Sequence, residues 1–568
     1  MLSFVVFDAD GLSAADFPPR HAHLVGPDDI PVQGDVVFEP GRIVCTKGVP
    51  QSVGLSLQME VHASSGGGSL GLLHVQTCLL PDRPEPYLLT IELARHRIMF
   101  LLNKLEDWGL LDLPADHPVM ARFDDARRTF TQALVSQRGT REGYCPEADA
   151  RATKAMALAM EAGEQATLLK AESQIVERLS GRGYADAVAH LKRLTPEAPA
   201  PGSPISIPGS DGVVLKGPPA IGCAISPGAT SEGLMRAVQG SCDFVTMPMR
   251  WIDMEPVEGK YAFAGTDRWI EWAVRTAKIP VHAGPLIEFR PQAVPDWLYI
   301  WENDYETLRD LVMEHVEALV TRYRRTIQRW TVASGLHVNT NFKISFEQVM
   351  DLTRICVLLV RKLHPTGKIQ LEIAQPWGEY HASNRRSIPP YLYAEALVQS
   401  GLGVDTLGLR VQMGHAEPGL GTRDLMALSA MLDKYAQLQK PIAVTALGVP
   451  SGPITPKPYT TRVGSAGEDA YEPGWWRKAW SEAQQADWMT RVMTVICSKP
   501  YVQSVCWQEF ADPMAPPGRP APMAAEMPMG GLVGSGGQPK AALQRLAQIR
   551  QCVADGRSPL SLIPDAAR

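Results

Sequence analysis

Three glutamates stand where predicted strands end and loops begin. Glu288 and Glu509 each close an apolar run, and Glu379 follows a third apolar run within a few residues. Two carboxyl groups facing one substrate can divide the work of proton donor and nucleophile or base. We therefore take Glu379, Glu509 and Glu288 as candidate catalytic residues.

Aromatic and cationic side chains lie near the same strand ends and leave two interpretations open. In the first, two of the glutamates form an acid/base pair and Trp377 or Trp507 provides a flat face for a sugar ring. Indole rings stack on the C–H faces of sugars, and charged groups bind their hydroxyls. In the second, the glutamates are rim carboxylates that form ion pairs with Arg250, Arg290 or Arg410.

The histidine pattern does not predict a metal site. His282 has no second ligand at a useful spacing, and the pairs His381 with Glu379 and His415 with Glu417 are only two residues apart in predicted loops. Transition-metal sites need three or four ligands around one point. We expect neither a metal nor a cofactor.

Strands and helices alternate from residue 220 onward, and this alternation must position the candidate residues. Eight apolar strand candidates cover residues 220–226, 243–249, 281–289, 326–333, 368–374, 406–413, 441–447 and 502–509. Amphipathic segments separate most of them, which predicts a (β/α)₈ barrel rather than an open sheet. In such a barrel the functional residues lie at the carboxyl ends of the strands.

The first 200 residues have a different pattern. Alternating polar and apolar residues predict a β-rich unit, and three- and four-residue hydrophobic spacing then predicts helices. A proline-dense stretch follows and is typical of an extended linker. The predicted divisions are a β-rich domain at 1–85, a helical segment at 86–192, a Pro-rich linker at 193–212, the barrel at 213–553 and a C-terminal tail at 554–568.

Composition narrows the class of partner. The formal net charge is −6 and no basic stripe is visible, which argues against nucleic acid. No apolar run reaches about 18 residues, so no membrane partner is expected. The N-terminus has no basic region before its short apolar run, which predicts a cytoplasmic protein without a signal peptide. Nine cysteines without a Cys-x-x-Cys pair predict reduced thiols.

The barrel region resembles the family 10 glycoside hydrolases, the retaining β-1,4-xylanases. The likeness rests on four stretches. The first two are Met-Arg-Trp with Glu-Pro and Gly-Lys-Tyr-Ala-Phe in residues 249–263, and Val-Pro-Asp-Trp-Leu at 294–298. The other two are Arg322-Tyr323 followed by Trp330, and the motifs Val-Cys-Trp, Ala-Asp-Pro and Gln-Pro-Lys-Ala-Ala between residues 505 and 542. It covers about residues 220–550. The resemblance implies a barrel that binds and cleaves a β-linked polysaccharide.

The positions that carry catalysis in that family depart from its pattern. Residues 330–335, Trp-Thr-Val-Ala-Ser-Gly, place Gly335 where the family has its acid/base glutamate. Residues 444–449, Val-Thr-Ala-Leu-Gly-Val, place Ala446 at the nucleophile. Gln412 stands at the position of a histidine in that family, and Met247 stands at the position of an asparagine. Neither Gly335 nor Ala446 can ionise or attack, so the resemblance implies a barrel that has lost this reaction.

Two functions therefore remain open at the level of sequence. The first is a catalytically degenerate relative of the xylanases that binds carbohydrate or has a structural role. The second is a glycoside hydrolase with relocated carboxylates. A carbohydrate ligand is the expected partner, and the N-terminal region is expected to support a homo-oligomer. The candidate substrate-binding residues are Arg250, Trp251, Trp377, Arg410, Gln412 and Trp507.

Overall fold

A computed structural model describes residues 1–8, 10–138, 144–194, 199–210, 212–228, 230–417, 419–455, 457–459, 469–513 and 527–564. Part of the predicted linker, residues 195–198, and the end of the predicted tail, residues 565–568, lie outside the described residues. All nine cysteines are described and are free thiols, which confirms the prediction. Among the described residues, no helix combines the length and the apolar character that crossing a bilayer requires.

Two small sheets occupy the first 88 residues. Their strands are β1 (Leu2–Val5), β2 (His23–Val25), β3 (Pro31–Val32), β4 (Gly34–Glu39), β5 (Arg42–Lys47), β6 (Gly54–His62), β7 (Ser69–Gln76) and β8 (Tyr87–Leu88). One sheet has the order β4-β5-β1-β8, and the other has the order β3-β2-β6-β7. A short strand from the barrel part, Trp475–Trp476, pairs antiparallel with β7 and extends the second sheet. The N-terminal sheet and the barrel therefore share backbone hydrogen bonds.

Four helices follow the sheets: α1 (Leu89–Asp107), α2 (Pro118–Arg138), α3 (Pro146–Leu179) and α4 (Arg182–Leu194). Buried alanines such as Ala152, Ala155 and Ala159 let α1 and α2 approach α3 closely. The buried Arg178 at the end of α3 donates hydrogen bonds to the carbonyls of Gly217 and Cys497, each at 3.0 Å. Since a guanidinium fixed by several carbonyls is rigid, α3 is fastened to the barrel rather than set apart from it.

The barrel is a closed parallel sheet. Its strands are β9 (Ala220–Ala224), β10 (Phe244–Met247), β11 (Val281–Ala283), β12 (Ile287–Glu288), β13 (Ile327–Ser334), β14 (Lys368–Ile373), β15 (Thr406–Gln412), β16 (Ile442–Gly448) and β20 (Val502–Trp507). Three short strands outside the barrel lie between β16 and β20 in the sequence: β17 (Lys457–Tyr459), β18 (Asp469–Tyr471) and β19 (Trp475–Trp476). The order is β11-β10-β9-β20-β16-β15-β14-β13-β12, and β11 also pairs with β13. Counting β11 and β12 as one interrupted strand gives eight, as the sequence predicted.

The surrounding helices are α5 (Glu232–Ser241), α6 (Trp251–Met254), α7 (Ala264–Glu271), α8 (Tyr305–Tyr323), α9 (Phe346–Leu363), α10 (Pro390–Gln399), α11 (Leu425–Ala436), α12 (Glu482–Ser498) and α13 (Ala541–Ala554). Their starting points follow from capping residues. Ser345 and Gln348 form a reciprocal capping box at α9, and Asp304 caps α8 through the Thr307 amide. The predicted (β/α)₈ barrel with a preceding β-rich unit and helical segment is therefore confirmed.

The third barrel strand is interrupted where the chain passes closest to its neighbour. Gly284 has φ +121°, and a Cβ there would lie 2.3 Å from the carbonyl oxygen of Thr331 on β13. Only glycine fits such an approach. The strand resumes as β12, whose residues Ile287 and Glu288 pair with Ala333 and Ser334. The break brings Glu288 beside the end of β13.

Candidate functional site

Position 335 follows directly on the end of β13, at the carboxyl edge of the barrel. Gly335 has φ +61°, in the left-handed region, and a Cβ there would lie 3.2 Å from the Cβ of Ala374. A residue with a side chain costs about 1–2 kcal/mol in this conformation. The backbone at position 335 is therefore suited to glycine, and a glutamate at this place would be strained.

Position 446 lies within β16 and is fully buried. Ala446 is 0% exposed and pairs in register with Arg410 of β15. Its side chain is a methyl group, which cannot attack an anomeric carbon or accept a proton. Neither this strand nor the end of β13 supplies a carboxyl group at the position that the sequence comparison singled out.

A buried glutamate that sequence reasoning missed lies between these two positions. Glu372 of β14 is 4% exposed, and its Oε1 accepts a 2.6 Å hydrogen bond from the Ser334 hydroxyl. The same oxygen accepts a 3.0 Å bond from Nη1 of Arg410, whose Nη2 donates to Oε1 of Gln412 at 3.2 Å. These four side chains form a continuous polar network across the ends of β13, β14 and β15. We call it the mouth network.

The space beside the mouth network is small. The cavity has a volume of about 30 Å³, which holds one or two water molecules. Pockets for small organic ligands usually measure about 300–1,000 Å³. The lining includes Arg250, His282, Gln370, Glu372, Arg410, Thr445 and Gln508. A pyranose ring does not fit inside the barrel beneath the strand ends.

The other two acids predicted near the mouth have different surroundings. Glu288, at the end of β12, is 4% exposed and accepts a hydrogen bond from Nε of Arg290. Glu509 lies two residues beyond the end of β20 and is half-buried. The strand predicted at 502–509 is thus shorter than expected, and Glu509 belongs to the following loop.

Glu379 contacts the N-terminal sheet. Its Oε1 forms an ion pair with Arg423 and lies 3.6 Å from Nε2 of His74 on β7. Burial raises the pKa of this carboxyl, but the Arg423 guanidinium, with the His74 ring beside it, outweighs burial and holds the pKa well below its usual range. Glu379 is not among the residues that line the cavity. Glu379 therefore stays ionised at neutral pH and faces away from the mouth network.

The three predicted tryptophans serve different contacts. Trp251 is 2% exposed, its ring stacks on His315 at a centroid distance of 4.2 Å, and its Nε1 donates to Glu255. Trp507 is 1% exposed and donates to the carbonyl of Gly530 at 3.0 Å. Trp377 is half-buried beneath the Arg423 guanidinium, 4.4 Å from the ring centroid. In this structure Trp251 and Trp507 present no open ring face to a ligand.

The structure thus brings together part of the predicted site. Arg250 and Arg410 line one cavity, and Arg410 bonds Gln412 directly. Arg250 also forms a 2.6 Å hydrogen bond with Asp253 at the rim. Glu379 and Trp377 meet instead at the contact between barrel and N-terminal sheet. A sequence signal for Glu372 did exist, because Gln370 and Glu372 alternate with buried apolar residues and so point into the barrel.

Comparison with known proteins finds one matching family model and several similar solved structures. The family model described as Glycosyl hydrolase family 10 matches residues 213–515. Among solved structures, xylanase 10B from Thermotoga maritima is 16% identical, with a TM-score of 0.42 over 60% of this chain and 96% of its own. Endo-1,4-beta-xylanase from Caldicellulosiruptor owensensis is 17% identical, with a TM-score of 0.42 over 58% of this chain and 96% of its own. Residues 1–212 lie outside the family match.

Proposed function

We propose that this chain, which belongs to glycosyl hydrolase family 10, is a member that does not hydrolyse glycosides and whose barrel has a structural role. The observation that carries the proposal is the pair of positions at the ends of β13 and β16, Gly335 and Ala446. Retaining hydrolysis needs two carboxyl groups about 5–5.5 Å apart, one on each side of the scissile bond. The sequence alignment puts Gly335 and Ala446 at their positions, and the left-handed backbone at Gly335 favours glycine over glutamate by about 1–2 kcal/mol.

Three of the acids near the carboxyl end of the barrel form ion pairs with arginines. Glu288 bonds Arg290, Glu372 bonds Arg410, and Glu379 bonds Arg423. The sequence had named Arg290 and Arg410, but not Arg423, as such partners, and these three ion pairs support the interpretation in which the glutamates are rim or interior carboxylates.

The N-terminal sheet gives the barrel a structural partner. It contacts the loops that follow β14, β15 and β16, which emerge at the carboxyl end of the barrel. His74 of β7 donates its backbone N–H to the Thr422 carbonyl at 3.0 Å, and β19 pairs with β7. Glycan-cleaving barrels use this end for substrate. Protein contacts on three of its loops support a role as a scaffold for the N-terminal region.

Carbohydrate binding without cleavage is the second candidate, and one observation favours it. Oε2 of Glu288 and Nε2 of Gln412 are buried and have no hydrogen-bond partner among the described residues. Buried polar atoms normally find a partner, and the hydroxyl of a short sugar at the mouth would supply one. Isothermal titration with xylo- and gluco-oligosaccharides tests this candidate. We expect heat that falls in Gln412→Ala, whereas no heat with any glycan would remove it.

Activity assays test the structural proposal against relocated catalysis. The full chain is incubated with nitrophenyl β-xyloside, β-glucoside and β-xylobioside, alongside Glu288→Gln, Glu372→Gln, Glu379→Gln and Glu509→Gln. The exposed Glu271 provides a control, Glu271→Gln, because it pairs only with Arg275 on the surface of α7 and its continuation. We expect no nitrophenol above a protein-free blank. The proposal would be overturned if the full chain released nitrophenol, one of the four substitutions abolished that release, and Glu271→Gln left it intact.

A further inference from the structure

We propose that His21, His74 and Glu379 form a binding site for a divalent transition metal, of which zinc is the best match, between the N-terminal sheet and the barrel. One ligand atom from each residue lies within 4.8 Å of the other two. Nε2 of His74 and Oε1 of Glu379 are 3.6 Å apart. Ligands bonded to zinc at 2.0–2.2 Å in a tetrahedron are about 3.4 Å apart, so small side-chain adjustments close this site.

Unsatisfied polar atoms give an independent reason for a ligand here. The His74 side chain is 3% exposed, and neither of its ring nitrogens has a hydrogen-bond partner among the described residues. The second carboxylate oxygen of Glu379, whose side chain is 7% exposed, has none either. Leaving such groups buried without partners costs free energy, and a metal ion would bind them directly.

The remaining ligand is oriented by a contact typical of metal sites. Nε2 of His21 lies 2.9 Å from the carbonyl oxygen of Glu472. A ring nitrogen facing a carbonyl must carry the hydrogen, which leaves the lone pair on Nδ1. Ligating histidines commonly fix their tautomer in this way. His21 therefore has the tautomer that a metal ligand requires.

The chemistry of the three ligands indicates which metals would fit. Two imidazoles and one carboxylate match zinc, cobalt and nickel, whereas calcium and magnesium prefer oxygen ligands alone.

Arg423 is the residue that opposes the site. Its guanidinium bonds Oε1 of Glu379 and stacks on Trp377. The positive charge repels a second cation, so a bound ion would share Oε1 of Glu379 with Arg423 or bind Oε2, which has no hydrogen-bond partner among the described residues. A fourth coordination position then falls to water, as three protein ligands usually leave one open.

The two histidines come from the N-terminal sheet region and the glutamate from the loop after β14. A bound ion would therefore tie the two parts of the chain together. The local spacing of residues could not indicate such a site, because His74 and Glu379 are separated by about 300 positions along the sequence. Glu379 instead suggested a weak local pair with His381, whose Nδ1 bonds Ser387 at 2.9 Å.

Metal titration of the full chain tests the proposal. The protein is stripped with a chelator and titrated with Co²⁺, whose visible absorption reports low-symmetry coordination by nitrogen and oxygen, and with Zn²⁺ in a calorimeter. We expect one equivalent of metal and a higher Tm with Zn²⁺ than with chelator, because a ligand that binds only the folded state stabilises it. Absence of a one-equivalent binding event would overturn the site.

Three conservative variants locate the metal: His74→Gln, Glu379→Gln and His21→Gln. Each should weaken Co²⁺ binding at least about tenfold, because it removes one of three ligands. His62→Gln is the matched control, since His62 lies in the same sheet with its side chain 71% exposed. Near-ultraviolet circular dichroism checks that each variant is folded. Folded ligand variants that bind metal as tightly as His62→Gln would contradict the proposal. Because His21 is only partly buried, His21→Gln is the variant best able to fold and so to provide this test.

Discussion

Replacing Arg410 with methionine should strongly destabilise the barrel. Glu372 is 4% exposed and would keep only the Ser334 hydroxyl as a partner after Arg410→Met. Removing one member of a buried ion pair leaves an uncompensated charge and costs about 3–5 kcal/mol of unfolding free energy. The cost arises from the low exposure of both groups, since the Arg410 side chain is 7% exposed.

A double-mutant cycle measures this effect by chemical denaturation followed by circular dichroism. Arg410→Met and Glu372→Leu together remove both charges, so the pair should cost far less than the two single losses summed. Arg275→Met is the control, because Arg275 and Glu271 form an exposed pair at 78% and 61% side-chain exposure. Such surface pairs contribute little. Additive losses, or a loss below about 1 kcal/mol for Arg410→Met, would refute a buried, mutually dependent pair.

Four further predictions follow from the same structure. Gly335→Ala should lower the free energy of unfolding by about 1–2 kcal/mol because of its left-handed backbone, and no loss in urea denaturation would contradict that conformation. Arg178→Met should cost about 1–3 kcal/mol, since it leaves the buried Gly217 and Cys497 carbonyls without that donor; an unchanged Tm would contradict it. Burial lowers the pKa of His337 to about 4 and that of His282 to about 3. Because the unfolded chain binds protons at a higher pH than the folded chain, the free energy of unfolding should fall as pH drops from about 6.5 towards 4, by about 3 kcal/mol for His337. A free energy of unfolding that does not change over this pH range would contradict buried neutral rings. Light scattering of the full chain checks the predicted self-association, which a monomer mass at all concentrations would contradict.

The barrel could be predicted because its signals are local. Apolar strands separated by amphipathic helices predict a (β/α)₈ barrel, and the chain forms one. The interruption at Gly284 was less visible, because it depends on the distance to Thr331 of the neighbouring strand. The early end of β20 also escaped prediction, since residues 508–510 contain polar and apolar residues that fit a strand equally well.

The candidate site was predicted less completely. The search for acids at strand ends found Glu288 and Glu509 but overlooked Glu372, which lies within a strand and faces inward. Glu379 follows a barrel strand, yet its partners are Arg423 and His74, and no local pattern reveals a contact with a residue so distant in sequence. The burial of Trp251 and Trp507 likewise depends on packing, because an indole ring suits a core as well as a sugar surface.

The central claim is that this family 10 barrel breaks no glycosidic bond, and oxygen-18 labelling tests it most directly. The full chain is incubated for days with xylohexaose and cello-oligosaccharides in water enriched in oxygen-18, and the products are weighed by mass spectrometry. Any hydrolysis, retaining or inverting, incorporates labelled oxygen into a new reducing end. We predict no labelled product above a protein-free control. Labelled fragments that disappear with Glu288→Gln or Glu372→Gln would contradict it.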